Sequence, residues 1–131
     1  MSEIKSYNES RTTRNEPPVV ITKVYDLLLW MIPKLAKFPK NQRYLLGQRI
    51  ENGLLDILEI LIEASFTKEK LNLLRRANLN LEKLRFLIRL AKDMHYINLA
   101  AYEYQAKATN EIGKMLGGWI KSQNSGSAIL V

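Results

Sequence analysis

The chain contains no cysteine and only one histidine. Without a thiol there is no disulfide framework, no thiolate nucleophile and no zinc site of the ordinary Cys-rich type. His95 has no second imidazole to share a metal with, and it falls where a helix is expected to end. That is a place for a cap or a surface residue rather than a general base. The carboxylates are spread along helical segments instead of pairing with histidine, so the inward Glu-x-x-His pattern of di-metal bundles is missing. No stretch alternates as a strand does, so no Gly-rich phosphate loop follows a strand. No apolar run is long enough to span a bilayer, and the N-terminus lacks the apolar core of a signal peptide. These absences argue against an enzyme, a metal or cofactor, and a membrane anchor, and they suit a cytoplasmic protein.

What is present is a core-forming, basic chain. Apolar residues make up 47% of its 131 residues, enough for one domain with a real core. Lys and Arg outnumber Asp and Glu 20 to 13, a net charge of +7. Such an excess favours nucleic acid, an acidic protein surface or an anionic membrane as partner and does not choose among them. A membrane-surface role is disfavoured because the helices need their apolar faces for the core.

Hydrophobic periodicity predicts four helices. The first is expected from an N-cap at Thr22 to about Lys37, with Val24, Leu28, Met31 and Leu35 inward and Pro33 kinking or dividing it. The second is expected from Lys40 to Ala64, with Leu46, Ile50, Leu54, Ile57 and Leu61 buried and Leu58 and Ile62 widening the stripe. Thr67 reads as the N-cap of a third helix reaching His95, whose inward line is Leu74, Ala77, Leu81, Leu84, Ile88 and Ala91. The fourth is expected from Leu99 to Lys121, with Ala101, Ala108, Ile112, Met115 and Trp119 inward and Gln105 interrupting the line. Residues 1–21 and 123–131 read as flexible tails around a bundle domain at 22–122. Short connections make the fold class all-α, an up-down-up-down four-helix bundle. Gly47, Gly113 and Gly117 lie inside helices at a cost of roughly 1 kcal/mol each against alanine, which suggests close packing there.

The third helix is the most informative segment. Beside its apolar line runs a second ladder, Arg75, Asn78, Glu82, Arg85, Arg89 and Lys92. Arginine there is suited to phosphate or carboxylate. In an antiparallel hairpin Arg85 and Arg89 would lie opposite Leu46 and Gln42. They would join Lys34, Lys37, Lys40, Arg43, Arg49, Lys92 and Lys107 at one end of the bundle. The acids Glu51, Asp56, Glu59 and Glu63 would mostly fall toward the other end, where they can pair with Lys68, Lys70 and Arg75. The obvious neutralising partners thus lie on the wrong side for Arg85 and Arg89, and only Asp93 and Glu103 accompany the cations. The candidate contact residues are therefore Arg85, Arg89, Lys92, Arg43, Lys40, Arg49, Lys37, Lys107 and Arg75. A solvated charged face is the competing explanation, since exposed ion pairs contribute only ~0–1 kcal/mol and need no functional reason. Tyr96, Tyr102 and Tyr104 could stack on bases, but aromatics so placed more often close a core or a subunit contact.

Four pieces in order are family-like: Pro33 with Phe38-Pro39-Lys40, Leu46-Gly47-Gln48, Leu84-Arg85-Phe86-Leu87-Ile88-Arg89, and Met115-Leu116-Gly117-Gly118-Trp119-Ile120. Through them residues 22–122 resemble the bacterial four-helix-bundle family that includes the accessory variability determinant proteins of diversity-generating retroelements. Proteins encoded by intervening sequences in 23S ribosomal RNA genes belong to the same family. The resemblance to the retroelement branch implies a homopentameric barrel that binds a reverse transcriptase and supports mutagenic copying of template RNA, with RNA or DNA as a further partner. It puts the family's basic contact pair on Arg85 and Arg89, and gives Gly113, Gly117 and Trp119 a packing role within or between subunits. The intervening-sequence branch is the alternative, with a structural or rRNA-associated role and no polymerase.

Overall fold

The computed structural model describes the backbone of residues 18–130 and the side chains of residues 18–124. Most of the expected N-terminal tail, residues 1–17, lies outside the described residues. The described chain is all-α. Helix α1 is Val19–Leu35, and α2 runs through Lys40–Gln42, a π turn at Arg43–Gly47 and then Gln48–Ser65. Helix α3 is Leu71–Asp93 and α4 is Leu99–Leu130. Helix α1 packs on α2 and α4, and α3 packs on the same two.

Several expected boundaries move, each for a local reason. Helix α1 starts three residues before Thr22. Pro18 holds an extended backbone (φ −52°, ψ 139°), and its carbonyl accepts the Ile21 N–H at 3.0 Å. Residues 19–21 thus belong to the bundle and not to a tail. Pro33 does not divide α1, because it sits in the last turn, where its missing N–H costs only one bond near the helix end. Thr67 does not cap α3: its hydroxyl donates back to the Glu63 carbonyl at 2.7 Å, so it belongs to the end of α2. Lys70 Nζ donates to the Ala64 and Thr67 carbonyls at 2.7 and 2.6 Å, covering the C-terminal carbonyls of α2. Asn98, which the helical pattern alone does not single out, is the N-cap of α4. Its Oδ1 accepts the Ala101 N–H at 2.8 Å, and α4 begins at the next residue. The backbone of α4 stays helical to Leu130, through the stretch from Gln123 that reads as a tail in the sequence.

The core follows the apolar lines of α2 and α3 closely. Leu46, Ile50, Leu54, Ile57 and Leu61 are buried, as are Leu74, Ala77, Leu81, Leu84, Ile88 and Ala91. Leu58 is half-buried, while Ile62 is exposed and does not widen the stripe. Helix α4 is turned from the expected face. Gln105, Thr109 and Leu116 are buried beside Ala101 and Ile112, and Ala108, Met115 and Trp119 are half-buried. Local hydrogen bonds make this possible. Thr109 Oγ1 donates to the Ala106 carbonyl at 3.2 Å and Gln105 Nε2 to the Tyr102 carbonyl at 2.9 Å, so both polar groups enter the core partly satisfied.

The end of α3 is a left-handed cap. His95 has φ 62°, the only positive φ among the described non-glycine residues. The Tyr96 N–H reaches the Ala91 carbonyl at 2.8 Å and the His95 N–H the Lys92 carbonyl at 2.9 Å. The histidine therefore serves as a backbone pivot, the place glycine usually takes. His95→Gly is expected to raise unfolding stability by about 1 kcal/mol by removing the left-handed penalty. The urea midpoint at constant denaturant slope measures it.

Candidate functional site

Two contacts align α1 with α4, and a third joins the connections beyond them. Lys23 Nζ lies 3.3 Å from Glu111, the Trp30 and Tyr104 rings stack at 4.6 Å, and the Phe38 and Tyr96 rings meet at 5.5 Å. The last contact brings the α1–α2 turn against the α3–α4 connection. Around it gather cations from the α1–α2 turn, α2 and α3. Lys37, Lys40 and Arg43 flank the α1–α2 turn, and Lys92 ends α3. The three tyrosines near this end work within the chain, with Tyr96 against Phe38, Tyr104 on Trp30, and Tyr102 beneath Lys92 Nζ at 4.6 Å.

The candidate cations separate into committed and free groups. Arg85 is committed. Its Nη1 donates to Asn110 Oδ1 at 2.5 Å and its Nη2 to the Thr109 carbonyl at 3.2 Å, tying α3 to α4. Nε lies 3.2 Å from Glu82 Oε1 but off the line of a hydrogen bond, so it pairs by charge alone. Only 30% of the Arg85 side chain is exposed. Gly113 makes the room, since a β-carbon there would lie 2.8 Å from Arg85 Nη2. The expectation that Arg85 lacks a neutralising partner is overturned: Glu82 is one helical turn away on its own helix, and α4 supplies two oxygens. Arg85 also sits level with Thr109 and Asn110, in the middle of the bundle and not at its end. Lys92 is half-committed, over Tyr102 and 3.4 Å from Asp93. Lys34 lies 5.3 Å over the Trp30 ring.

Arg89 is different. Its side chain is 62% exposed and its contact with Asp93, one of the two acids expected at this end, is a loose 3.9 Å that does not tie it down. Lys37, Lys40, Arg43 and Arg49 are exposed and form no ion pair with any described residue. Nor do Glu51, Asp56, Glu59 and Glu63 pair with Lys68, Lys70 or Arg75 among the described residues. Lys70 is instead engaged by carbonyls. Arg75 lies ten residues before Arg85, roughly 15 Å away along α3, and stands apart from the basic end. Lys107 falls between Tyr104 and Glu111, which contact Trp30 and Lys23, so it lies midway along the α1–α4 seam and does not return to that end.

Arg85 thus serves the fold. Arg85→Ala is expected to cost about 1–3 kcal/mol by stripping Asn110 and Thr109 of a charged donor and emptying the space over Gly113. Thermal unfolding of the single variant beside Arg89→Ala, which should stay near wild type, separates the two arginines.

The glycines also divide. Gly47 is buried, where a β-carbon would meet the Gln42 carbonyl at 3.4 Å and the Phe38 ring at 3.5 Å. Gly117 is exposed, with open space where its β-carbon would be, so it serves no close helix contact within the chain. Trp119 is half-buried and lines an open apolar hollow with Pro18, Val19, Val20 and Met115.

Among the described residues no group of three His, Asp or Glu side chains could hold a metal ion. No helix among them is long and apolar enough to cross a membrane. No curated protein and no solved structure matches the chain. The family model described as bAvd-like matches residues 18–123, from the proline that starts α1 through the four helices. With its four-helix all-α structure and a match over most of its length, this chain belongs to the bAvd-like family.

Proposed function

We propose that the chain is a non-catalytic accessory subunit of a diversity-generating retroelement. It works in the cytoplasm, binds the element's reverse transcriptase and nucleic acid through a basic surface, and assists mutagenic copying of template RNA. The observation that supports this best is the set of exposed cations without ion pairs among the described residues, Lys37, Lys40, Arg43 and Arg49, on a bAvd-like chain. Arg89 adds to it. In an up-down-up-down bundle α2 and α3 run antiparallel. Counting away from the contact between Gly53 and Leu84 then brings Arg89 level with Gln48, beside this surface, and not with Gln42 as the hairpin count from the Ser65–Phe66 turn gives. Such a surface holds phosphates by charge, with affinity that falls steeply as salt rises. It reads little sequence, because phosphate contacts position a partner and base contacts specify it.

Assembly into a homopentamer belongs to the same proposal. Leu79, Phe86 and Leu90 are exposed at helical spacing on α3, and Tyr25, Leu29 and Ile32 on α1. Apolar stripes of that kind are unusual on a lone subunit and suit contact with further copies. Gly117, open within the chain, is free to meet a neighbouring subunit. Five copies would multiply weak phosphate contacts by raising the effective concentration of each site.

The test is a pull-down from the native host with tagged chain, sequencing the RNA and identifying the proteins in one eluate. A reverse transcriptase together with its template-repeat RNA is the expected result. Ribosomal RNA without a polymerase would overturn it and move the chain to the intervening-sequence branch.

A further inference from the structure

We infer that Tyr44 is a stacking platform for an unpaired base, within a single-stranded nucleic-acid site on the first half of α2. The site deepens the nucleic-acid reading above and rests on it. Tyr44 is 70% exposed, on a helix whose neighbouring positions Leu46 and Gly47 are buried. It is presented by the π turn Arg43–Gly47, an irregularity that in helices is frequently found at functional sites.

Its charge setting distinguishes it from the other exposed aromatics. From residue 27 to residue 50 the sequence has Lys34, Lys37, Lys40, Arg43 and Arg49 and no carboxylate at all. Lys40 lies about one turn before Tyr44 and Arg43 immediately before it, both exposed. The other exposed aromatics also have cations nearby, as Phe86 has Lys83, Arg85 and Arg89, but each has a carboxylate close in sequence (Glu63 and Glu69 about Phe66, Glu82 before Phe86, Asp26 beside Tyr25), and Tyr44 has none. Tyr96, Tyr102, Tyr104 and Trp30 are engaged inside the chain, so none of them is a free ring. A flat aromatic face between cations, with the exposed amide of Gln48 one turn further on, offers the three contacts a single strand uses: stacking, phosphate charge and a polar edge.

An unpaired strand is the ligand that fits. A ring on the convex surface of a helix cannot slip between paired bases without unstacking them, and the deep, narrow major groove of an RNA duplex does not admit it. Every base has a π-face, so the contact adds affinity without demanding a sequence.

The experiment is fluorescence anisotropy of a labelled, unstructured RNA oligonucleotide and of a duplex of equal length, titrated with the full chain. The variants are Tyr44→Ala, Tyr44→Phe and the double variant Lys40→Glu with Arg43→Glu. Wild type should prefer the single strand. Tyr44→Ala should weaken single-strand binding about ten-fold with the salt slope unchanged, and Tyr44→Phe should bind as wild type. The charge variant should lose affinity and flatten the salt slope. If Tyr44→Ala binds like wild type while the charge variant fails, the stacking inference falls and the basic surface stands. If wild type binds neither oligonucleotide, or the charge variant binds unchanged, the nucleic-acid reading falls with it. A change of oligomeric state in Tyr44→Ala by size-exclusion chromatography would assign the ring to a subunit contact and also overturn the inference.

Discussion

Leu81→Ala is expected to destabilise the bundle by about 2–5 kcal/mol, a larger loss than truncation of either Arg85 or Arg89 should give. Leu81 is 1% exposed, and its Cδ2 lies 3.6 Å from where a β-carbon on Gly113 would stand, so it fills the α3–α4 seam next to the Arg85 contacts. Truncation removes transfer free energy and leaves a cavity. Rigid helices on both sides limit how far the gap can close. Because Arg85 shares the seam, Leu81→Ala and Arg85→Ala should not add: the double variant should lose a different amount from the sum of the singles. Urea denaturation of the three variants measures both effects. A Leu81→Ala loss below about 1 kcal/mol would mean that α3 and α4 repack freely, and would undo the account of that seam.

The triple variant Lys40→Glu, Arg43→Glu, Arg89→Glu is expected to lose about two orders of magnitude in affinity for single-stranded RNA at physiological salt. The slope of log affinity against log salt should become shallower by about 2, since each phosphate contact on a single strand contributes roughly 0.7. All three side chains are exposed, so unfolding should stay within about 0.5 kcal/mol per position of wild type. The contrast with Arg85 matters. Replacing Arg85 and Arg89 together would confound a lost contact with a weakened fold, because the Arg85 guanidinium hydrogen-bonds Asn110 and Thr109. Binding that keeps its salt slope in the triple variant would remove the basic end as the interface.

The face of α4 shows where hydropathy stops being a guide. Ala101 and Ile112 are apolar and legible as core. Gln105 and Thr109 are polar, yet they are buried because their own helix supplies carbonyls to them. A hydropathy pattern cannot register that local satisfaction. The π turn at Arg43–Gly47 is equally invisible, since its residues keep an ordinary helical pattern while the buried Gly47 lies beside the Phe38 ring. Asn98 is legible in principle, because an asparagine one residue before a helix is a strong N-cap signal.

By itself the sequence determined the four helices, the buried faces of α2 and α3, the excess of positive charge, and the motifs that belong to the bAvd-like family. Those properties depend on residues three and four apart on one helix, which backbone geometry brings to one face whatever surrounds it. Only the tertiary structure decided which cations are free. Arg85 and Arg89 are equivalent in sequence, four apart on the same ladder, but only Arg85 finds hydrogen-bond acceptors on α4. Gly113 leaves a hollow, Asn110 and Thr109 supply oxygens, and Arg85 turns inward while Arg89 stays in solvent. The fate of a long charged side chain depends on what the neighbouring helix offers it, and that is known only once the helices are packed.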